Sequence, residues 1–105
     1  FIIKDLTFKE AKFSPDPDVN RGGVYIWFSN NRVYKVGRSL GNSRKRAFEH
    51  IRDNTGGKMA AFKNNPGARL ILYNIKNKGN FHWVIALEYF FEWRLKPVIQ
   101  VKRRG

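Results

Sequence analysis

The chain has no cysteine, only two histidines and only eight acidic residues among its 105. Without cysteine there can be no disulfide and no thiolate zinc site. The two histidines, His50 and His82, are too few for a typical multi-histidine metal centre. Nothing resembles a membrane span: the longest apolar run, 81–95, is broken by Glu88, Glu92 and Arg94. No secretory signal is visible. The expectation is therefore an intracellular protein, in cytoplasm, nucleus or nucleoid, with no membrane partner. The chain opens at Phe1 and not at methionine, which points to processing or to a domain excised from something longer.

What is abundant is positive charge. Lysine and arginine number 21 against eight acids, for a formal charge of +13. Such an excess implies an anionic partner, of which nucleic acid is the commonest, with an acidic membrane surface or ribosomal RNA as other sources of phosphate. Charge alone says that phosphates are attracted, not that they are cut. Sixteen aromatic residues (nine Phe, four Tyr, three Trp) supply bulk for one hydrophobic core, so a single domain of this length needs no staple.

Residues 1–21 carry mixed signals. The stretch 5–13 reads as a short strand or a helix, and the prolines at 15 and 17 make 14–18 a loop. We read 1–21 as an N-terminal extension packed on a main domain spanning 22–105. The first clear strand is 24–28 and the second 33–38, joined at Ser29-Asn30-Asn31. Loop length decides which side chains share a face. A two-residue turn would pair Tyr25 with Val36. A three-residue loop pairs Tyr25 with Lys35 and gathers Val24, Ile26, Phe28, Tyr34 and Val36 on one apolar face. That separation favours three residues. Ser43 is the expected N-cap of a helix to about residue 52, with Ala47, Phe48 and Ile51 on its apolar side. A helical turn at 59–62, a third strand at 68–75, a turn at 77–80, a helix at 81–95 ended by Pro97, and a short strand at 98–101 complete the reading. The fold class is α/β (α+β): a small antiparallel sheet of three or more strands flanked by helices.

Several residues can carry chemistry. Arg46 and His50 lie four apart on one helix face, where an arginine fork can clamp a phosphate and an imidazole can donate or accept a proton. Arg46 is equally one solvated charge in the run Arg44-Lys45-Arg46. Glu88 and Glu92 interrupt an apolar helix, where a carboxylate costs free energy unless it snorkels to solvent, pairs with Lys or Arg, or holds a cation. One carboxylate suffices for Mg²⁺, which keeps most of its waters and takes further oxygens from phosphate. Tyr25 is protonated at neutral pH and acts as a base only beside a cation, which Lys35 on the same face would supply.

The order Gly23-Val24-Tyr25, Lys35-Val36-Gly37, Arg46-x-x-x-His50, Leu87-Glu88 and Lys96-Pro97 resembles the GIY-YIG nuclease family over residues 22–100. In that family two tripeptides on a hairpin precede an arginine helix and a metal-binding glutamate nine residues before a proline; Glu88 has that spacing and Glu92 does not. Lys35 stands where the family usually has tyrosine, as in some of its restriction enzymes, and Gln100 where it usually has asparagine. The resemblance implies a DNA endonuclease using one Mg²⁺ or Mn²⁺ held by Glu88. Tyr25 would activate or orient the attacking water, Lys35 would lower the phenol's pKa or hold the nucleophile, and Arg46 with His50 would stabilise the scissile phosphate. Arg38, Arg44, Lys45, Lys58, Lys63 and Gln100 are the candidate contacts to double-stranded or branched DNA. With so short a chain, sequence-specific cutting would call for a homodimer or further recognition domains outside it. The rival reading is a non-catalytic basic nucleic-acid-binding domain on the same scaffold.

Overall fold

The computed structural model describes residues 1–52 and 67–99. Its centre is a four-stranded antiparallel sheet in the order β1-β4-β2-β3, formed by β1 (Ile2–Thr7), β2 (Gly23–Ser29), β3 (Arg32–Ser39) and β4 (Arg69–Asn74). Three helices flank it, α1 (Phe8–Phe13), α2 (Ser43–Arg52) and α3 (Phe81–Leu95). The expected turn at 59–62, and the residues Lys58, Lys63 and Gln100, lie outside the described residues. Among the described residues no helix is long and apolar enough to cross a membrane.

The sheet alternates cleanly between its faces. Tyr25, Trp27, Leu70 and Leu72 point to the side of α1 and α2, where they pack with Ala11 and Ala47. Val24, Ile26 and Val36 point the other way and pack beneath Val84 of α3. On the first side Trp27 is fully buried, stacked on Phe8 and edge-on to Phe48, and its indole N–H donates to the Ala47 carbonyl at 3.0 Å. That bond satisfies the polar end of a large apolar anchor and fixes α2 against β2.

Two expectations change. Residues 1–21 do not merely lean on the domain: β1 pairs along its whole length with β4, and Thr7 then opens α1 with a reciprocal capping box to Glu10. Ser43 is not the N-cap of α2. It is the first helical residue, and Asn42 does the capping, its side chain accepting the Lys45 N–H at 3.0 Å. The Ser43 hydroxyl is used elsewhere. It donates to Asn74 Oδ1 at 2.6 Å, and the Asn74 amide donates to the Asp18 carbonyl at 2.7 Å, a buried chain tying α2, β4 and the segment before β2 together.

Helix α3 spans the residues that its flanking signals mark. Lys96 adopts a left-handed conformation (φ 48°) at its end and Pro97 follows, which cannot continue a helix. The chain then turns back along the outer edge of β3, with Val98 N–H donating to the Val33 carbonyl and Ile99 N–H to that of Tyr34. The expected last strand is present as this short contact, which covers part of an otherwise open edge.

Candidate active site

The hairpin turn is two residues, not three. Asn30 and Asn31 both take left-handed conformations (φ 52° and 63°), the pairing of a primed turn whose twist matches the strands it joins. Ser29 pairs with Arg32 and Phe28 with Val33. By itself that register would send Tyr25 and Lys35 to opposite faces. A β-bulge prevents it: Tyr34 is an extra residue opposite the step from Trp27 to Phe28, so Trp27 pairs with Lys35 and Tyr25 with Gly37. Tyr25, Trp27, Lys35 and Gly37 therefore share a face by a different device from the one the pattern suggested. Tyr34 joins that face and Val33 takes its place on the other. Lys35 now stands opposite Trp27, two pairs along from Tyr25.

Gly37 has a steric reason to be glycine. A Cβ there would fall onto the hydroxyl, Cζ and Cε2 of Tyr25. The phenol thus lies across β3 at the one position with no side chain. Tyr25 is fully buried, and burial pushes its phenol well above its ordinary pKa. Arg46 opposes that rise, while Glu88 and Glu49 add to it. Charges from α2 and α3 thus act on one hydroxyl, with Arg46 a cation among them. The phenol is consequently neutral across the ordinary pH range. Orienting a water is within its reach; deprotonating one is not. Because the phenol binds its proton more tightly folded than unfolded, it contributes stability that is fully present below pH 10 and is lost as pH rises beyond it. The fall in thermal midpoint between pH 9.5 and 11 is accordingly expected to be shallower in Tyr25→Phe than in the parent, as differential scanning calorimetry would show; equal slopes would contradict this placement.

Glu88 is 3% exposed, although it sits on an apolar helix. Its Oε1 accepts a hydrogen bond from the Arg38 guanidinium at 2.7 Å, and the Arg38 side chain is 40% exposed. Glu92, a turn later, is only half-buried. Arg46 is exposed and pairs with Glu49 at 3.0 Å, a partner that the i, i+3 spacing on α2 would have revealed. His50 lies on the same helix as Arg46; its side chain is outside the described residues. Lys45 is exposed beside them. His82 is exposed on α3 against Trp83, away from the Tyr25 face.

Arg44 bonds within the fold. Its guanidinium donates to the Ser14 carbonyl at 2.7 Å and to the Ala11 carbonyl at 3.4 Å, closing the end of α1 onto α2. A run of three cations on a short helix cannot all face outward, and the first of them turns toward the carbonyls left open at the end of α1. Arg44, an expected DNA contact, thus has guanidinium hydrogen bonds committed within the fold. The structure thus brings together Tyr25, Lys35, Gly37 and Arg46 on one side of β3 and Arg38 with Glu88 on the other. Comparison with family models, with curated proteins and with solved structures finds no match to this chain. Among the described residues no three His, Cys, Asp or Glu side chains cluster as a ready-made metal cage.

Proposed function

We propose that this protein is a metal-dependent DNA endonuclease of the GIY-YIG type, hydrolysing phosphodiester bonds. The observation that carries the reading is the Tyr25 phenol lying across Gly37 of β3, where Arg46 of α2 and Glu88 of α3 both act on it electrostatically. The arrangement fits a single hard cation: Glu88 is a buried carboxylate aimed at a guanidinium, which marks it as an oxygen donor to a positive centre, and Mg²⁺ needs only one or two such donors beside phosphate. When bound there, Mg²⁺ or Mn²⁺ would neutralise charge on the phosphate and assist the leaving oxygen. The Tyr25 hydroxyl, neutral and buried, would orient the attacking water, with Lys35 on the same face of the sheet to hold that nucleophile. Arg46 would stabilise charge developing on the scissile phosphate. Arg38 and Lys45, both solvent-facing, would neutralise flanking phosphates, and that contribution is salt-dependent.

Arg38 has a second role in this reading, because it occupies the carboxylate that the cation would use. Arg38→Ala leaves Glu88 buried without its charge-assisted hydrogen bond and is expected to cost about 1.5–3 kcal/mol. Added Mg²⁺ or Mn²⁺ should then raise the thermal midpoint of Arg38→Ala more than that of the parent protein, since the cation replaces the missing positive charge. A variant indifferent to divalent ions would place the metal elsewhere.

A specific observation also supports the rival, a non-catalytic nucleic-acid-binding domain: Tyr25 and Glu88 are both closed to solvent. Incubating the protein with supercoiled plasmid and with branched DNA, with and without Mg²⁺, separates the two. Divalent-dependent nicking is the expected result. Tight binding that leaves every substrate intact would assign the fold to binding alone.

A further inference from the structure

The polarity of α3 is unusual. Its two acids are turned inward, Glu88 to 3% exposure and Glu92 half-buried, and while Val84, Leu87 and Phe91 pack on the sheet, most of its other large apolar residues face solvent. Trp93 is 66% exposed, Tyr89 60%, Trp83 57%, Phe90 47% and Ile85 46%. At 3.6 residues per turn His82, Ala86, Tyr89 and Trp93 form the outermost row, flanked by Trp83 and Phe90 on one side and Ile85 on the other. The only exposed formal charge on the helix is Arg94, at its last turn. A helix that is apolar all round belongs inside a structure, and a contiguous aromatic face of this kind marks an interaction surface.

We propose that a second copy of this chain covers that face, α3 packing antiparallel on α3 about a two-fold axis. Charge decides the occupant. A nucleic acid drawn by +13 charges would seek faces carrying cations, and single-strand stacking platforms need cations beside each aromatic for the backbone phosphates. The outward row of α3 has none. For two like-charged chains the same neutrality is an advantage, because it lets them meet without burying lysine or arginine. The area suffices. Five large side chains at about half exposure, each of about 200 Å² when free, offer roughly 500 Å² per copy. Two copies then bury about 1,000 Å² from these residues alone, the lower limit of a specific interface. The sequence of the row also suits a two-fold axis. With the axis near Tyr89 and Phe90, each Trp93 falls over the other copy's Ala86, the one small residue in the row, so large meets small twice.

Sedimentation equilibrium of the intact chain over a range of concentration and salt tests this without reference to cleavage, so it stands or falls apart from the nuclease reading. The expected mass is twice 12.3 kDa, with the dimer favoured by added salt as repulsion between the chains is screened. Ala86→Glu keeps every aromatic and a good helix former, yet it places two carboxylates under the tryptophans. It should weaken association at least about tenfold, as loss of a central contact does, and Trp93→Ala should do likewise with an unchanged far-UV spectrum. A mass of 12.3 kDa at every concentration, or a dimer indifferent to both substitutions, overturns the proposal. So does a monomer whose tryptophan fluorescence reports binding of oligothymidylate or of anionic phospholipid vesicles through Trp93, since that gives the face to another occupant.

Discussion

Glu88→Ala is expected to abolish divalent-dependent cleavage while leaving DNA binding and the fold in place. Among the described residues the carboxylate is the one buried acid, and its partner Arg38 is 40% exposed, so removing Glu88 returns the guanidinium to water and does not strand it. The structural cost is thus smaller than that of Arg38→Ala, where the buried member is the one left behind. The catalytic cost is of another order. A bound cation supplies several kcal/mol of transition-state stabilisation, so its loss should slow cleavage at least about 100-fold. Glu92→Ala is the control. It lies four residues on in the same helix but is half-buried and lacks the spacing to Pro97, and its rate should match the parent's. Initial nicking rates of plasmid at saturating Mg²⁺, with DNA affinity read by fluorescence anisotropy, distinguish the cases. If Glu88→Ala cuts as fast as the parent, the assignment of the metal to this carboxylate is wrong.

The elements that local pattern encodes were legible, and those resting on distant contacts were not. Helix α3 is bounded by a turn at 77–80 and by Pro97, both local signals, and its observed limits follow them. Strand β1 is different. Its residues alternate weakly, and what makes them a strand is β4, more than sixty residues away in sequence. The Thr7-x-x-Glu10 capping box was nonetheless readable and would have divided 1–13 correctly into strand and helix. In the hairpin the apolar pattern carried parity alone. It required Tyr25 and Lys35 on one face, and both a three-residue loop and a two-residue turn followed by a bulge satisfy that requirement. Two asparagines able to take φ > 0 tip the balance toward the tight turn, and the bulge then restores the parity.

The site shows the same division. Glu88 could be chosen over Glu92 from its spacing to Pro97, and burial separates the two in the fold. Its partner Arg38 is fifty positions away, and nothing local links them. Arg44, Lys45 and Arg46 are alike in composition, yet the fold turns one to the end of α1, one to solvent and one to Glu49 near Tyr25. Only the packing of α2 on the sheet beside α1 decides which is which.

Gly37→Ala gives the sharpest test of the hairpin as built. A methyl group in an ordinary strand position should help slightly, because glycine there loses more backbone freedom on folding than alanine, by roughly 0.5–1 kcal/mol. Here the sign reverses. The added carbon would occupy the space of the Tyr25 hydroxyl and ring end, and the ring is fully buried, with no open side to move into. Nor is β3 free to retreat: β2 holds its inner edge, and Ile99 pairs at Lys35 on the outer edge. Overpacking of this kind costs about 1–3 kcal/mol. In a domain of this size that lowers the thermal midpoint by roughly 4–8 °C per kcal/mol. Gly41, where an added Cβ would meet nothing within 4 Å, supplies the control, and Gly41→Ala should leave the midpoint unchanged. Tyr25→Phe is a poor rescue of Gly37→Ala, since the Cζ and Cε2 contacts remain. Tyr25→Leu removes the ring end and should recover part of the loss, giving a favourable coupling in the double-mutant cycle. An additive cycle, or a Gly37→Ala protein as stable as its parent, would mean that the phenol does not lie across Gly37. The convergence of Arg46 and Glu88 on that hydroxyl would then lose its geometric basis.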